Sequence, residues 1–425
     1  MPGAAADRAI VDPVTTMELW RRLRPEGWPV PPEAFPSDAA LVGGAVRDAL
    51  LNRLEAQPDL DLVVAGDAIA LCRQLSQRHG GCAVVLDAER SIARLAVRGW
   101  SVDLARREGP SLEADLGRRD YTINAMALPL AADSALVDPT GGLEHLRAGQ
   151  LVAVSEANLL DDPLRLLRGL RLSAQLGFAL EPQTWQWIQR HHGAIGAVAG
   201  ERVLAELEKL AAAPDGHSAL AQALGCGLLR SWSDTPSPPQ ALQELTPERA
   251  RAAGLSEAEQ ELALPLARMA AVLDGMALGL LRSSRQWQQR VDRLRHWQQR
   301  LDISAAGAAA AAAGLPEAER LALHRQLEAD LPALLIRWPA GAAQAWLQRW
   351  RDPDDPLFHP RPAIDGHSLQ RELGLRPSRE LGVLLEHLAL ERAFGRLQSR
   401  NEALRLAQNW IQSEGSGSEA APRRD

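Results

Sequence analysis

The chain has 425 residues, 46% hydrophobic and 24% charged, with a net charge of −7; at roughly 100–200 residues per domain this is a packed chain of several domains, not a disordered one. Of 47 Lys+Arg only Lys209 is lysine. That excludes a P-loop, which has no other lysine to complete it, and leaves lysine-centred kinase or Schiff-base chemistry to Lys209 alone.

In chain order, residues 1–10 lack a basic region followed by an apolar run, so no leader is expected. Residues 39–42 form a short apolar run ending in Gly43-Gly44, and 45–54 read as a helix. Residues 60–64 and 82–86 are β-branched and apolar, like strands; 69–79 are helical between them. Two more strands are expected at 93–97 and 100–104, joined by a turn at Arg98-Gly99. This α/β pattern ends near Gln150, after which strands are expected to stop. Residues 163–176, 182–190 and 201–212 have helical spacing, and 231–240, with three prolines and three serines, form a candidate linker. The most apolar stretch, 262–281, is broken by Pro265, Arg268 and Asp274 and reads as a buried helix pair rather than a membrane span. An alanine run at 308–313 suggests a helical surface or hinge, and 413–425 a frayed, disordered tail. Three scattered cysteines, Cys72, Cys82 and Cys226, give neither a disulfide framework nor a four-thiolate zinc site, so a reducing cytoplasm is expected.

The chemistry concentrates in residues 41–64. Asp59 and Asp61 are two apart in a strand-like run, so both side chains point to one face. Side-by-side carboxylates repel unless cations lie between them, and two metals spanned by shared carboxylates are common in enzymes that displace at phosphorus. Asp103, on another strand-like segment, can supply a third carboxylate. Gly43 and Gly44 open a helix whose free N–H groups suit a triphosphate, with Arg47 and Asp48 in its first turn. Each feature alone is ordinary, a solvated face or a turn; the order and spacing make them specific.

A second motif, DLGRRDYTINAMA, spans residues 115–127. LVGGAVRD, D-x-D, RRDYTINAMA, DPTGG and DDPLRLLRGLR occur in that order. Together they resemble the class II tRNA nucleotidyltransferases, the CCA-adding enzymes and bacterial poly(A) polymerases of the polymerase β superfamily. The likeness covers about residues 41–210. It implies that Asp59 and Asp61 bind two Mg²⁺ with Asp103 as third carboxylate, and that Gly43, Gly44 and Arg47 cradle phosphates. Arg119, Asp120 and Asn124 would contact the ribose and phosphates, and Arg168 would join the nucleotide site. Tyr121 is expected to pack in the core. In the DDPLR segment Asp162 suits a helix cap and Pro163 a first turn. The family reading is sharper: Asp162 and Arg165 would form a protein template for the Watson–Crick edge of the incoming base, with Asp161 helping to orient Arg165. The family often has Glu at position 161, and an aromatic where Thr140 stands.

Asp103 and Asp115 are only 12 positions apart. In CCA-adding relatives this interval is longer and holds a flexible loop associated with the switch from C to A addition. Its shortening resembles members that add CC alone and need a separate A-adding enzyme. The substrates implied are tRNA with CTP, and ATP where the full CCA end is made. A poly(A) polymerase and a non-catalytic RNA-binding relative stay open as alternatives.

The net charge conceals an uneven distribution. Residues 1–150 hold 16 Arg against 21 Asp+Glu, whereas 281–300 hold six Arg against Asp292 alone. At helical spacing Arg282, Arg285, Arg293 and Arg300 share one face, and Trp287, Val291, Leu294 and Leu301 another. This is either a solvated amphipathic helix or a phosphate-tracking stripe for a tRNA arm. Residues 364–404 are similar to tail-region helices of some bacterial members. The expected fold is an α+β nucleotidyltransferase head at 1–150, a mixed sheet of about five strands. A helical neck at 151–230 carries the base template, and an all-helical body and tail at 231–412 bind tRNA.

Overall fold

The computed structural model describes residues 15–131, 134–233, 240–301 and 307–417. The chain forms two compact units, one comprising Met1–Glu206 with Cys226–Ser231, the other Leu207–Gly225 with Trp232–Asp425. The first half of the expected neck therefore folds with the expected head.

The first unit is built on a six-stranded sheet, one strand more than expected. In chain order the strands are β1 (Ala40–Val42), β2 (Leu60–Val64), β3 (Cys82–Asp87), β4 (Ile92–Val97), β5 (Trp100–Arg106) and β6 (Ala127–Pro129). Their spatial order is β3-β4-β5-β2-β1-β6. β6 is only three residues long and ends in Pro129, which suits an edge strand and hides it from a periodicity search. Strands also do not stop at 150: β7 (Gln150–Leu151) and β8 (Ala179–Leu180) form a two-residue parallel pair. The β4–β5 hairpin turns at Arg98-Gly99, both with positive φ (51° and 83°), the geometry that matches strand twist.

The helices of this unit are α1 (Thr16–Leu23), α2 (Gly44–Leu50), α3 (Ala68–His79), α4 (Leu112–Leu116), α5 (Gly142–Ala148), α6 (Glu156–Asp161), α7 (Leu164–Leu176) and α8 (Pro182–Arg190), followed by α9 (Gly200–Ala212), which continues into the second unit. α2 is shorter than the predicted 45–54, because Asn52 turns left-handed at φ 53° just beyond it. Asp67 caps α3, its Oδ1 accepting from the Ile69 and Ala70 N–H groups. α3 packs on β3, β4 and β5. Alternation then divides the sheet. Leu60, Leu62, Val64, Ala93, Leu95, Val102 and Leu104 are buried, while Asp61, Arg94, Ser101 and Asp103 point to the opposite face.

The second unit is helical throughout its described residues. The apolar stretch at 262–281 is the expected helix pair, Glu257–Val272 and Gly275–Leu280. Among the described residues no helix is long and apolar enough to cross a membrane. Arg268 in the first of these helices is 1% exposed. Its guanidinium donates to four main-chain carbonyls, those of Leu245, Ala211, Ala213 and Pro214, at 2.7–3.1 Å. The alanine run is a helix with Ala308 and Ala312 buried. Helices Gly366–Leu373, Arg379–Ala393 and Arg400–Gly417 enclose their own core around Leu369, Leu384, Leu388 and Ala403. The last helix runs five residues into the segment read as a frayed tail; residues 418–425 lie outside the described residues, as does most of the candidate linker.

Candidate active site

Asp61 and Asp103, the latter expected as the third carboxylate, stand side by side. β2 and β5 are parallel, with Asp61 registered against Asp103. β5 and β4 are antiparallel, with Asp103 registered against Arg94. Asp61, Asp103 and Arg94 thus form one row across three strands. The Arg94 guanidinium grips Asp103 through two bonds, Nε to Oδ1 at 2.7 Å and Nη2 to Oδ2 at 2.8 Å. Burial pushes the Asp61 carboxyl up to about 6, and the neighbouring Asp103 and Asp59 charges push the same way; Arg119 and Arg94 oppose them. Asp59 lies exposed just before β2.

Gly43 brings the main chain up to this row. It has φ 73° and ψ −135°, and a Cβ there would meet Asp61 Oδ2 at 3.4 Å and Arg119 Nη1 at 3.6 Å. No side chain caps the α2 N–H groups that follow. Arg47 is committed elsewhere. It is buried, donates to both Asp48 oxygens at 2.8 Å, and donates to Asn124 Oδ1 at 2.7 Å. A cleft of about 380 Å³ lies here, with Gly44, Arg47, Asp48, Arg53, Asp59 and Asp61 on its walls.

The 115–127 motif supplies a second cleft of about 220 Å³, whose lining includes Asp115, Arg119, Asp120, Arg165 and Arg168. Arg119 donates to Asp115 at 3.2 Å, and its Nε is buried without a partner among the described residues. Asp120 accepts from the Tyr121 N–H at 2.8 Å, from Arg168 at 3.1 Å and from Asn124 Nδ2 at 3.3 Å. Burial raises its carboxyl, but Arg168 and the Tyr121 N–H outweigh burial and hold it below the ordinary carboxylate range. Tyr121 is fully buried, as expected, and donates to the Arg165 carbonyl at 2.7 Å. Thr140 Oγ1 is buried with no partner among the described residues; nothing in the structure explains Thr at that position.

The DDPLR residues lie at the start of α7. The N-cap of α7 is Pro163 rather than Asp162; Asp162 Oδ1 accepts from the Leu164 N–H at 3.3 Å, while Oδ2 accepts from Arg202 at 2.8 Å. Arg165 Nη1 donates to the carbonyls of Arg118 and Asn158 at 2.9 and 2.8 Å. These carbonyls, not Asp161, orient Arg165; Asp161 is exposed and makes no side-chain hydrogen bond among the described residues. Arg168 bridges Asp120 and Glu206. Arg94 and Arg202, paired with Asp103 and Asp162, are residues of the candidate site that motif reading missed. A period-two reading of 92–97 against 100–106 would have set Arg94 opposite Asp103; nothing local in the sequence pairs Arg202 with Asp162.

In the second unit the helix Arg285–Arg300 forms, with Val291, Leu294 and Trp297 buried. The four-arginine face does not survive intact. Arg282 lies before the helix in a left-handed turn at φ 58°, and Arg300 pairs with Glu319 at 2.8 Å. Arg285 and Arg293 remain exposed, with no ion pair among the described residues.

Residues 39–152 match the family described as "Poly A polymerase head domain", and residues 177–232 match "Probable RNA and SrmB- binding site of polymerase A". The chain is similar to the CC-adding tRNA nucleotidyltransferase of Synechocystis, 32% identical over 399 residues, covering 88% of this chain and 94% of that protein. It is also similar to the A-adding tRNA nucleotidyltransferase of Deinococcus radiodurans, 41% identical over 206 residues, covering 47% and 46%. The fold resembles that of the Bacillus stearothermophilus CCA-adding enzyme in complex with CTP, with TM-score 0.63, 20% identity, and 96% and 100% of the two chains covered. The head places paired strand carboxylates beside a glycine-led helix. The chain belongs to the class II tRNA nucleotidyltransferases.

Proposed function

We propose that this enzyme adds C residues from CTP to the 3′ end of tRNA, in the cytoplasm, stops after two, and leaves the terminal A to a separate A-adding enzyme. The restriction rests on the connection after β5. Only residues 107–111 separate β5 from α4, and they are tied down. The Arg107 N–H donates to the Val64 carbonyl at 2.8 Å, the Glu108 N–H to Asp115 at 2.8 Å, and Arg118 to Glu108 at 2.8 Å. A segment this short and this anchored cannot swing to reshape the base pocket. With CTP and ATP together on tRNA lacking its last three residues, sequencing should find products ending in CC. An A at the third position would overturn the restriction.

The residues suit Mg²⁺. Asp59, Asp61 and Asp103 offer hard carboxylate oxygens, and burial together with the Asp103 and Asp59 charges raises the Asp61 carboxyl. No three acidic, His or Cys side chains among the described residues stand close enough to ligate one ion alone; Mg²⁺ characteristically takes one or two carboxylates and completes its shell with substrate phosphates and water. Two bound ions would supply neutralisation of the triphosphate and a lowered pKa for the attacking 3′-hydroxyl. Gly43 lets the main chain approach the phosphates, and the unpartnered Arg119 Nε is a donor waiting for an anion. Arg165, anchored through Nη1, keeps Nε and Nη2 for the ring nitrogen and carbonyl of cytosine. Asp162 accepts from the exocyclic amino group, with Arg202 holding the carboxylate in place.

Arg285 and Arg293 suit phosphates of a tRNA arm. Replacing both with Glu should weaken tRNA binding about tenfold or more near physiological salt and flatten its salt dependence; filter binding at several salt concentrations would show it, and an unchanged affinity would remove this helix from the interface.

A further inference from the structure

We propose that Arg94 is a built-in counter-ion of the cation site: in the nucleotide-free enzyme its guanidinium occupies Asp103, and a divalent cation arriving with the nucleotide displaces it. This rests on the reading of Asp59, Asp61 and Asp103 as the cation-binding carboxylates.

The geometry is that of a substitute cation. Asp103 is flanked in its row by Asp61 on one side and Arg94 on the other. Arg94 uses both Nε and Nη2 and takes both Asp103 oxygens, the fork that matches a carboxylate plane. Those same oxygens would face an ion shared with Asp61. While Arg94 holds them, the site offers an incoming ion two carboxylates rather than three.

The pair is also built to open. The Arg94 side chain is 46% exposed and Asp103 24%, and a partly exposed ion pair in water is weak. Nearly half of the Arg94 side chain is in solvent, so leaving Asp103 creates no cavity. The β4–β5 hairpin keeps its register through its main-chain ladder from Ile92↔Ala105 to Val97↔Trp100. The charge balance gives the exchange its direction. Four carboxylates, the three of the row and the Asp115 that pairs with Arg119, stand against Arg94 and Arg119, so two negative charges are left over, and each divalent ion entering adds two positive charges where Arg94 supplied one. A nucleoside triphosphate brings the negative charge that makes the exchange favourable, so cation and nucleotide bind together rather than in sequence.

Mn²⁺ alone serves as the probe, with free ion followed by electron paramagnetic resonance on the full-length chain. Without nucleotide, Arg94→Gln should bind Mn²⁺ about fivefold more tightly than wild type, with Arg94→Lys in between, at unchanged melting temperature. With CTP present the difference should shrink. Equal or weaker Mn²⁺ binding by Arg94→Gln, when wild type binds, overturns the counter-ion role and leaves the carboxylate site standing. An Asp61→Asn variant that binds Mn²⁺ as tightly as wild type overturns both.

Discussion

Asp61→Asn is expected to lower nucleotide incorporation by at least about a thousandfold, ~4 kcal/mol of transition-state stabilisation, while making the metal-free protein more stable at neutral pH. The two effects share one cause. Asp61 stands half-buried beside Asp103 and its carboxyl is pushed up to about 6, so above that pH the native state holds a charge it disfavours. The sign follows. A carboxyl raised in the folded state stabilises the fold when protonated, and that contribution is complete below about 3.8 and lost as pH rises through about 6. Asn keeps the shape without the charge. In chelator at neutral pH the variant should gain about 2 kcal/mol, with allowance for partial solvent access. The gain should fade as pH falls from 7 toward 4. Urea titrations at pH 7 and pH 4.5, with incorporation of labelled CTP, check both halves. Residual activity above a few per cent of wild type would remove Asp61 from the catalytic role, and equal stability at both pH values would remove the buried-charge account.

Gly169→Ala should unsettle the base template from inside the protein. Gly169 lies on α7 directly after Arg168 and one turn beyond Arg165, and a methyl there would overlap the Tyr121 hydroxyl and touch Ile188 at 3.3 Å. Tyr121 has no room to retreat, being fully buried and bonded to the Arg165 carbonyl. The methyl must therefore push α7 away from the 115–127 segment, moving Arg165 off the carbonyls that aim it. A loss of about 3 kcal/mol is expected on overpacking grounds, with incorporation falling more steeply than binding of tRNA. Adding Tyr121→Phe should restore part of the stability by removing the overlapping oxygen. Full activity in Gly169→Ala alone would mean that the template tolerates movement of α7.

Local pattern carried far in this chain, because strand positions 60–64 and 100–104 alternate and so fix which residues share a face. That placed Asp59 and Asp61 on one face of a single run, with Asp103 expected only from a neighbouring strand; Asp59 in fact lies just before β2. Register itself is a long-range property, and it put Arg94 opposite Asp103, a partner no local spacing names. β6 was missed because three residues carry no period. Arg282 was misplaced because helical spacing was extended through Leu281–Ser284, where the chain turns left-handed instead. Arg47 shows the remaining gap: its position in the first turn of α2 was legible, but its direction depends on Asn124, 77 residues away.

Arg268 gives the chain's preference for arginine a physical consequence. Every partner of its buried guanidinium is a carbonyl oxygen, a group with no proton to lose near neutrality. Burial pulls Arg268 itself down only to about 10. The junction is therefore an ion–dipole cement, comparable to a bound potassium ion chelated by peptide groups, whose strength neither pH nor dissolved salt can tune across the physiological range. A lysine there would have fewer donors, all on one atom, and a proton held far less firmly.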